Sequence, residues 1–139
     1  MDEPARYILF NGVIVLLLGL IAGIPYGRSI LKNESEERIT AWRVAHSSIT
    51  IGSILMFALS SLLSNLAANS LIIWLIAVLF IVSGYAFSLA LYVGPIVGHR
   101  GLSSRGPVSA KVVYLGNSIG ALTSLAGATV LLYAAWITL

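Results

Sequence analysis

Two histidines, His46 and His99, are the only imidazoles in the chain, and cysteine is absent. Thiolate ligands, disulfides and cysteine nucleophiles are therefore excluded. Imidazole titrates near neutrality and is the commonest metal-ligating side chain. His46 belongs to a series, Arg43, His46, Thr50, Ser53, Phe57, Ser60 and Ser64, spaced alternately by three and four. That spacing puts all seven on one face of a helix. A second series, Tyr85, Ser88, Tyr92, Pro95 and His99, repeats the pattern. Thr50 and Tyr92 are expected at similar depths, one turn or so from His46, and are the candidate catalytic hydroxyls. Serine and threonine on such a face also bond readily to their own helix carbonyls. Tyr92 reads equally as an interfacial anchor, and His46 as an interfacial histidine bonded to a neighbouring helix.

The segment His99-Arg100-Gly101-Leu102-Ser103-Ser104-Arg105-Gly106-Pro107 carries two arginines among glycine and serine. Fixed cations at a membrane surface suit carboxylates or phosphates, and they equally mark a basic loop on one side of a membrane. Pro95 should bend or end its helix and free carbonyls near Leu91. Asn117 is a polar side chain that needs a partner.

These residues must be positioned by a membrane bundle. Of 139 residues, 58% are hydrophobic and 9% charged, against about a quarter charged in soluble domains. No Asp, Glu, Lys or Arg occurs from Tyr7 to Gly27, Val44 to His99, or Val112 to Leu139. A span needs about 20 apolar residues. The outer runs each hold one helix, and the middle run holds two, broken near Asn65 to Asn69. The reading is all-α: a single 1–139 domain of four transmembrane helices at about 7–26, 43–64, 70–95 and 111–137. The acidic start Met1-Asp2-Glu3-Pro4 argues against a secretory signal, so the first helix is expected to be retained.

Arg28, Lys32, Arg38 and Arg43 flank the first connection, and Arg100, Arg105 and Lys111 the third; the other side has only Arg6. The positive-inside rule then places the 27–42 and 98–110 loops in the cytoplasm and both termini outside. The expected location is a bacterial or archaeal plasma membrane. The net charge of +3 reads as this topology signal, not as a nucleic-acid surface. Glu34, Glu36 and Glu37 read as a solvated connector. Small residues spaced by four, Gly19, Gly23 and Gly27 on helix one and Gly116, Gly120, Ser124 and Ala128 on helix four, are expected packing seams. So small a bundle is expected to be oligomeric.

Trp42-Arg43-Val44-Ala45-His46-Ser47 resembles the opening of the second helix in the styrene oxide isomerase family. Arg100-Gly101-Leu102 followed by Gly106-Pro107 is similar to a segment after that family's third helix, with one residue more between the two pieces. The likeness covers roughly residues 42–110. It implies a four-helix membrane enzyme binding haem b through His46, with Arg43 and Arg100 as candidate partners of the haem carboxylates. Ferric iron would act as a Lewis acid on the oxygen of a lipophilic epoxide, giving a carbonyl compound without net redox change. It also implies a homo-oligomer, a trimer with haem near subunit contacts. Two positions depart from the family. An asparagine six residues beyond the histidine is here Gly52, and a tyrosine nine before the loop arginine is here Leu91, with Tyr92 beside it. A one-residue shift at the Pro95 bend would let Tyr92 take that role.

The residues alone also fit two other functions. A small b-type electron carrier would use His46 and His99 together. A non-catalytic membrane subunit or small transporter would bind no cofactor. No carboxylate dyad or Ser-His-Asp set lies within the spans, which argues against hydrolysis by those routes.

Overall fold

A computed structural model describes all residues, 1–139. It is an all-α bundle of four helices: α1 (Glu3–Leu31), α2 (Glu36–Leu63), α3 (Ser70–Val97) and α4 (Val108–Trp136). All four are long and apolar enough to cross a membrane. At 28 or 29 residues each, they measure about 42 Å, beyond a hydrocarbon core of about 30 Å. They therefore outrun the expected spans, most at the start of α2.

Local chemistry sets these ends. Pro4 sits in the first turn of α1, where a missing N–H costs nothing. Ser35 caps α2 by accepting from Arg38 N–H, with Glu36 and Glu37 in the first turn, where carboxylates favour the helix dipole. Asn69 caps α3 by accepting from Ile72 N–H at 3.0 Å. α3 continues two residues past Pro95 and stops at Gly98 (φ +71°), a left-handed position that glycine takes without strain.

The molecule is two antiparallel hairpins, α1–α2 and α3–α4, joined through α3, which packs against both α1 and α2. The main core lies between α1, α2 and α3, around Ile8, Val15, Met56, Leu59, Ile76 and Phe80. α4 packs on α3 and on neither α1 nor α2. The Glu37–Arg100 ion pair at 3.5 Å joins the two basic loops at one end. Glu37 is thus a link between loops as well as a solvated acid. Bonds from Asp2 N–H to Ser64 Oγ and from Ala67 N–H to Thr138 Oγ1 gather both termini at the other end.

The small-residue seams form in part as expected. On α1, Gly19 lies against Thr50 and Gly23 against His46, but a Cβ on Gly27 would meet nothing within 4 Å. On α4, Gly116 packs on Ala86 and Ala90, and Gly120 on Phe87; the next contact is Gly127 against Phe80 and Leu79. Ser124 is only half-buried, and Ala128 is exposed. A spacing of four drifts about 40° per step on a helix of 3.6 residues per turn, so a continuous row of four cannot stay on one seam.

Candidate functional site

Equal spacing builds the site. Gly19 and Gly23 on α1 face Thr50 and His46 on the antiparallel α2. Without side chains at these glycines the two backbones approach closely. His46 Nδ1 lies 2.8 Å from Gly19 O. A carbonyl can only accept, so Nδ1 donates its N–H to Gly19 O, and Nε2 is the ring nitrogen left facing away from α1's backbone. Nε2 makes no hydrogen bond to protein, and the ring is half-buried. Tyr26 stacks beside it, with ring centroids 6.4 Å apart.

Tyr92 reaches the same place from α3. Its hydroxyl donates to Leu18 O, the carbonyl preceding the one that holds His46. Trp42 packs edge-on against Tyr92 at 6.0 Å and is itself buried on Ala22 and Ala45. The Thr50 hydroxyl donates to His46 O at 2.7 Å. His46, Thr50 and Tyr92 thus converge on Leu18–Gly19 of α1, at the common depth expected from their spacing. Both candidate catalytic hydroxyls donate hydrogen bonds to main-chain carbonyls, of His46 itself and of Leu18 beside Gly19. Ser53 and Ser60, lower on the same face, bond to Thr50 O and Phe57 O.

The structure divides the cationic candidates. Arg43 stands one turn from His46 toward the basic loops, exposed and in no ion pair. Arg100 lies elsewhere, paired with Glu37 and lining a cleft with Thr40, Ala41, Val44 and His99. Those α2 residues sit about half a turn round from His46. The two histidines therefore face different sides of α2, which separates a two-histidine haem ligation within one chain from this geometry. Gly101 (φ +65°) docks the Arg100 loop onto Val113 and Asn117, and Asn117 Nδ2 donates to Arg100 O at 3.2 Å. Gly52 and Leu91 both line the cleft side of α2 and α3. No cluster of three His, Asp or Glu side chains could hold a metal ion.

The sequence reading missed the α1 carbonyls of Leu18 and Gly19, and Tyr26. One signal was present: the four-residue step of Gly19–Gly23 matches that of His46–Thr50. Replacing Tyr92 by phenylalanine should remove the tie to Leu18 O at a cost of about 1 kcal/mol. Thermal unfolding should fall only slightly, while any metal group on His46 should bind roughly tenfold or more weakly, as for loss of other outer-shell partners. Unchanged affinity in titrations would show that Tyr92 does not position His46.

The fold and site define a four-helix membrane bundle with one half-buried histidine held between α1 and α2. The family model for styrene oxide isomerase matches residues 4–136, and the chain belongs to that family. No curated protein matches it.

Proposed function

We propose that the protein is a haem-dependent membrane isomerase that rearranges a lipophilic epoxide to a carbonyl compound. One observation supports this above others: Gly19 O accepts a hydrogen bond from Nδ1–H of His46, which would leave Nε2 to meet a metal. A backbone carbonyl orienting the far nitrogen is the usual outer shell of a metal-bound histidine. The residues fit haem b in other respects. Arg43 is free to meet a haem carboxylate, and Gly27 leaves open space on the same outer face of α1 and α2. Held by His46, ferric haem would supply Lewis-acid chemistry toward an epoxide oxygen.

The chain itself holds and orients. Gly19 fixes the tautomer and ring direction of His46, Thr50 ties down the backbone of His46, and Tyr92 braces the Leu18–Gly19 segment from α3. Epoxide opening with hydride migration between neighbouring carbons conserves all atoms and electrons, so no redox partner is needed.

The α1–α2 outer face leaves His46 half-exposed, and we assign it to contact with another copy in a homo-oligomer, a trimer by analogy with the family. We also assign the two basic loops to the cytoplasm and the termini to the outside. The decisive experiment is an absorption spectrum of detergent-purified protein after haem supply, with gas-chromatographic assay of a panel of epoxides. A Soret band with conversion to aldehyde or ketone, insensitive to added electron donors, is expected. A protein that takes up no haem overturns the reading and leaves a membrane subunit without a cofactor.

A further inference from the structure

A row of contacts outside the His46 site ties α3 to α1. The Tyr85 hydroxyl donates to Asn11 Oδ1 at 2.7 Å, the only hydrogen bond in the protein that joins two side chains. Asn11 Nδ2 in turn donates to Tyr7 O at 2.8 Å, which turns the amide so that its oxygen faces α3. Further toward the termini, the ring of Tyr7 meets that of Trp74, with centroids 5.3 Å apart. Tyr85 is 36% exposed, and at its depth in the span the neighbour is hydrocarbon. A hydroxyl and an amide there have no water to turn to, so each holds its partner.

The row runs into the site already described. Tyr85 and Asn11 are 74 residues apart in sequence, and so are Tyr92 and Leu18. Seven residues separate Tyr85 from Tyr92 on α3, and seven separate Asn11 from Leu18 on α1. Seven residues make nearly two whole turns, with a drift of about 20°. Both tyrosines therefore leave α3 on one face and land on one face of α1. The two helices run parallel, since each begins its hairpin at the end that gathers the termini. One bond alone would leave α3 free to pivot about it. Two bonds about 10 Å apart set both its height and its tilt against α1. Lipid is as apolar as the helix faces, so hydrophobic burial does not choose that height. A slip of α3 by one turn would break both bonds together. It would also take Tyr92 away from Leu18, whose neighbour Gly19 holds His46.

We propose that Asn11 and Tyr85 are positioning residues for the His46 site. They set the height of α3 on α1, so that the Tyr92 hydroxyl meets Leu18 O and steadies the carbonyl of Gly19. Their effect on His46 needs no cofactor; only its bearing on haem affinity rests on the isomerase reading.

The test uses the full-length protein in nanodiscs, labelled with heavy-nitrogen histidine. His46 and His99 are the only histidines, so magnetic resonance shows two imidazoles, and His99→Ala assigns them. In cofactor-free protein, Tyr85→Phe, which removes one oxygen, and Asn11→Ala should each shift and broaden the ring-nitrogen signals of His46. Those of His99 should stay in place. The double variant should move His46 no further than either single one, because both break the same bond. Haem supplied to either variant should bind roughly threefold to tenfold more weakly, the range expected for one interhelical hydrogen bond in a membrane. Ile76→Val loosens a fully buried contact in the main core. It controls for lost stability alone and should leave His46 unmoved. Unmoved His46 signals in both single variants would overturn the proposal, and so would an equal shift in Ile76→Val. A wild type that takes up no haem removes the isomerase reading, while the nitrogen signals still decide the role of this pair.

Discussion

His46→Ala should yield a folded protein that takes up no haem and loses epoxide isomerisation by more than about 100-fold, beyond the usual effect of losing an outer-shell partner. On the proposed reading His46 is the ligand, and the other histidine could not take its place. His99 lies in the cleft on the other side of α2, cysteine is absent, and no cluster of metal-ligating residues exists. Folding should survive, because the change removes one hydrogen bond to Gly19 O, about 1 kcal/mol, from a ring that is only half-buried. Free imidazole added to the variant should enter the vacated space and restore part of the Soret absorbance. His99→Ala should leave the spectrum unchanged. Full haem content in His46→Ala would remove His46 from the centre. Loss of haem in His99→Ala would favour an electron carrier with two imidazole ligands.

The second large effect is expected at Gly19. A Cβ there would stand 2.6 Å from Thr50 Oγ1, 2.9 Å from Thr50 N and 3.2 Å from Thr50 Cα. Two of these atoms are backbone, so no rotamer change relieves the clash, and α2 must move away from α1. Gly19→Leu should therefore destabilise the protein by about 3 kcal/mol, the upper range for overpacking, and should disturb the carbonyl that holds His46. Gly27→Leu, one seam position among the same three glycines, should be nearly neutral because nothing lies within 4 Å. Thermal unfolding in detergent compares the two directly. Equal unfolding temperatures would mean that the helices do not approach closely at Gly19. Retained haem in a destabilised Gly19→Leu would separate packing from His46 orientation.

Much of this protein was settled by sequence. The charge-free stretches around Ile14, Met56, Ile81 and Ala128 require four membrane-length helices, because lipid tolerates neither unpaired backbone nor frequent charge. The three-and-four spacing of Arg43, His46 and Thr50 fixed their common face, since helix geometry is local. It also put Tyr92 level with Thr50, and α1 meets both at Leu18–Gly19. Other features depended on how whole helices dock. The sequence could not say that Gly19 and Gly23 receive Thr50 and His46, because matching small steps occur on α4 as well. Nor could it separate Gly27 from its neighbours, or show that the α4 seam passes from Gly120 to Gly127. Each depends on a crossing angle set by many side chains at once. The same holds for Arg100: its loop charge was legible, but its pairing with Glu37 on the far side of α2 from His46 follows from how the two hairpins meet. Local periodicity places a residue on a face, and only the packed bundle decides what that face looks at.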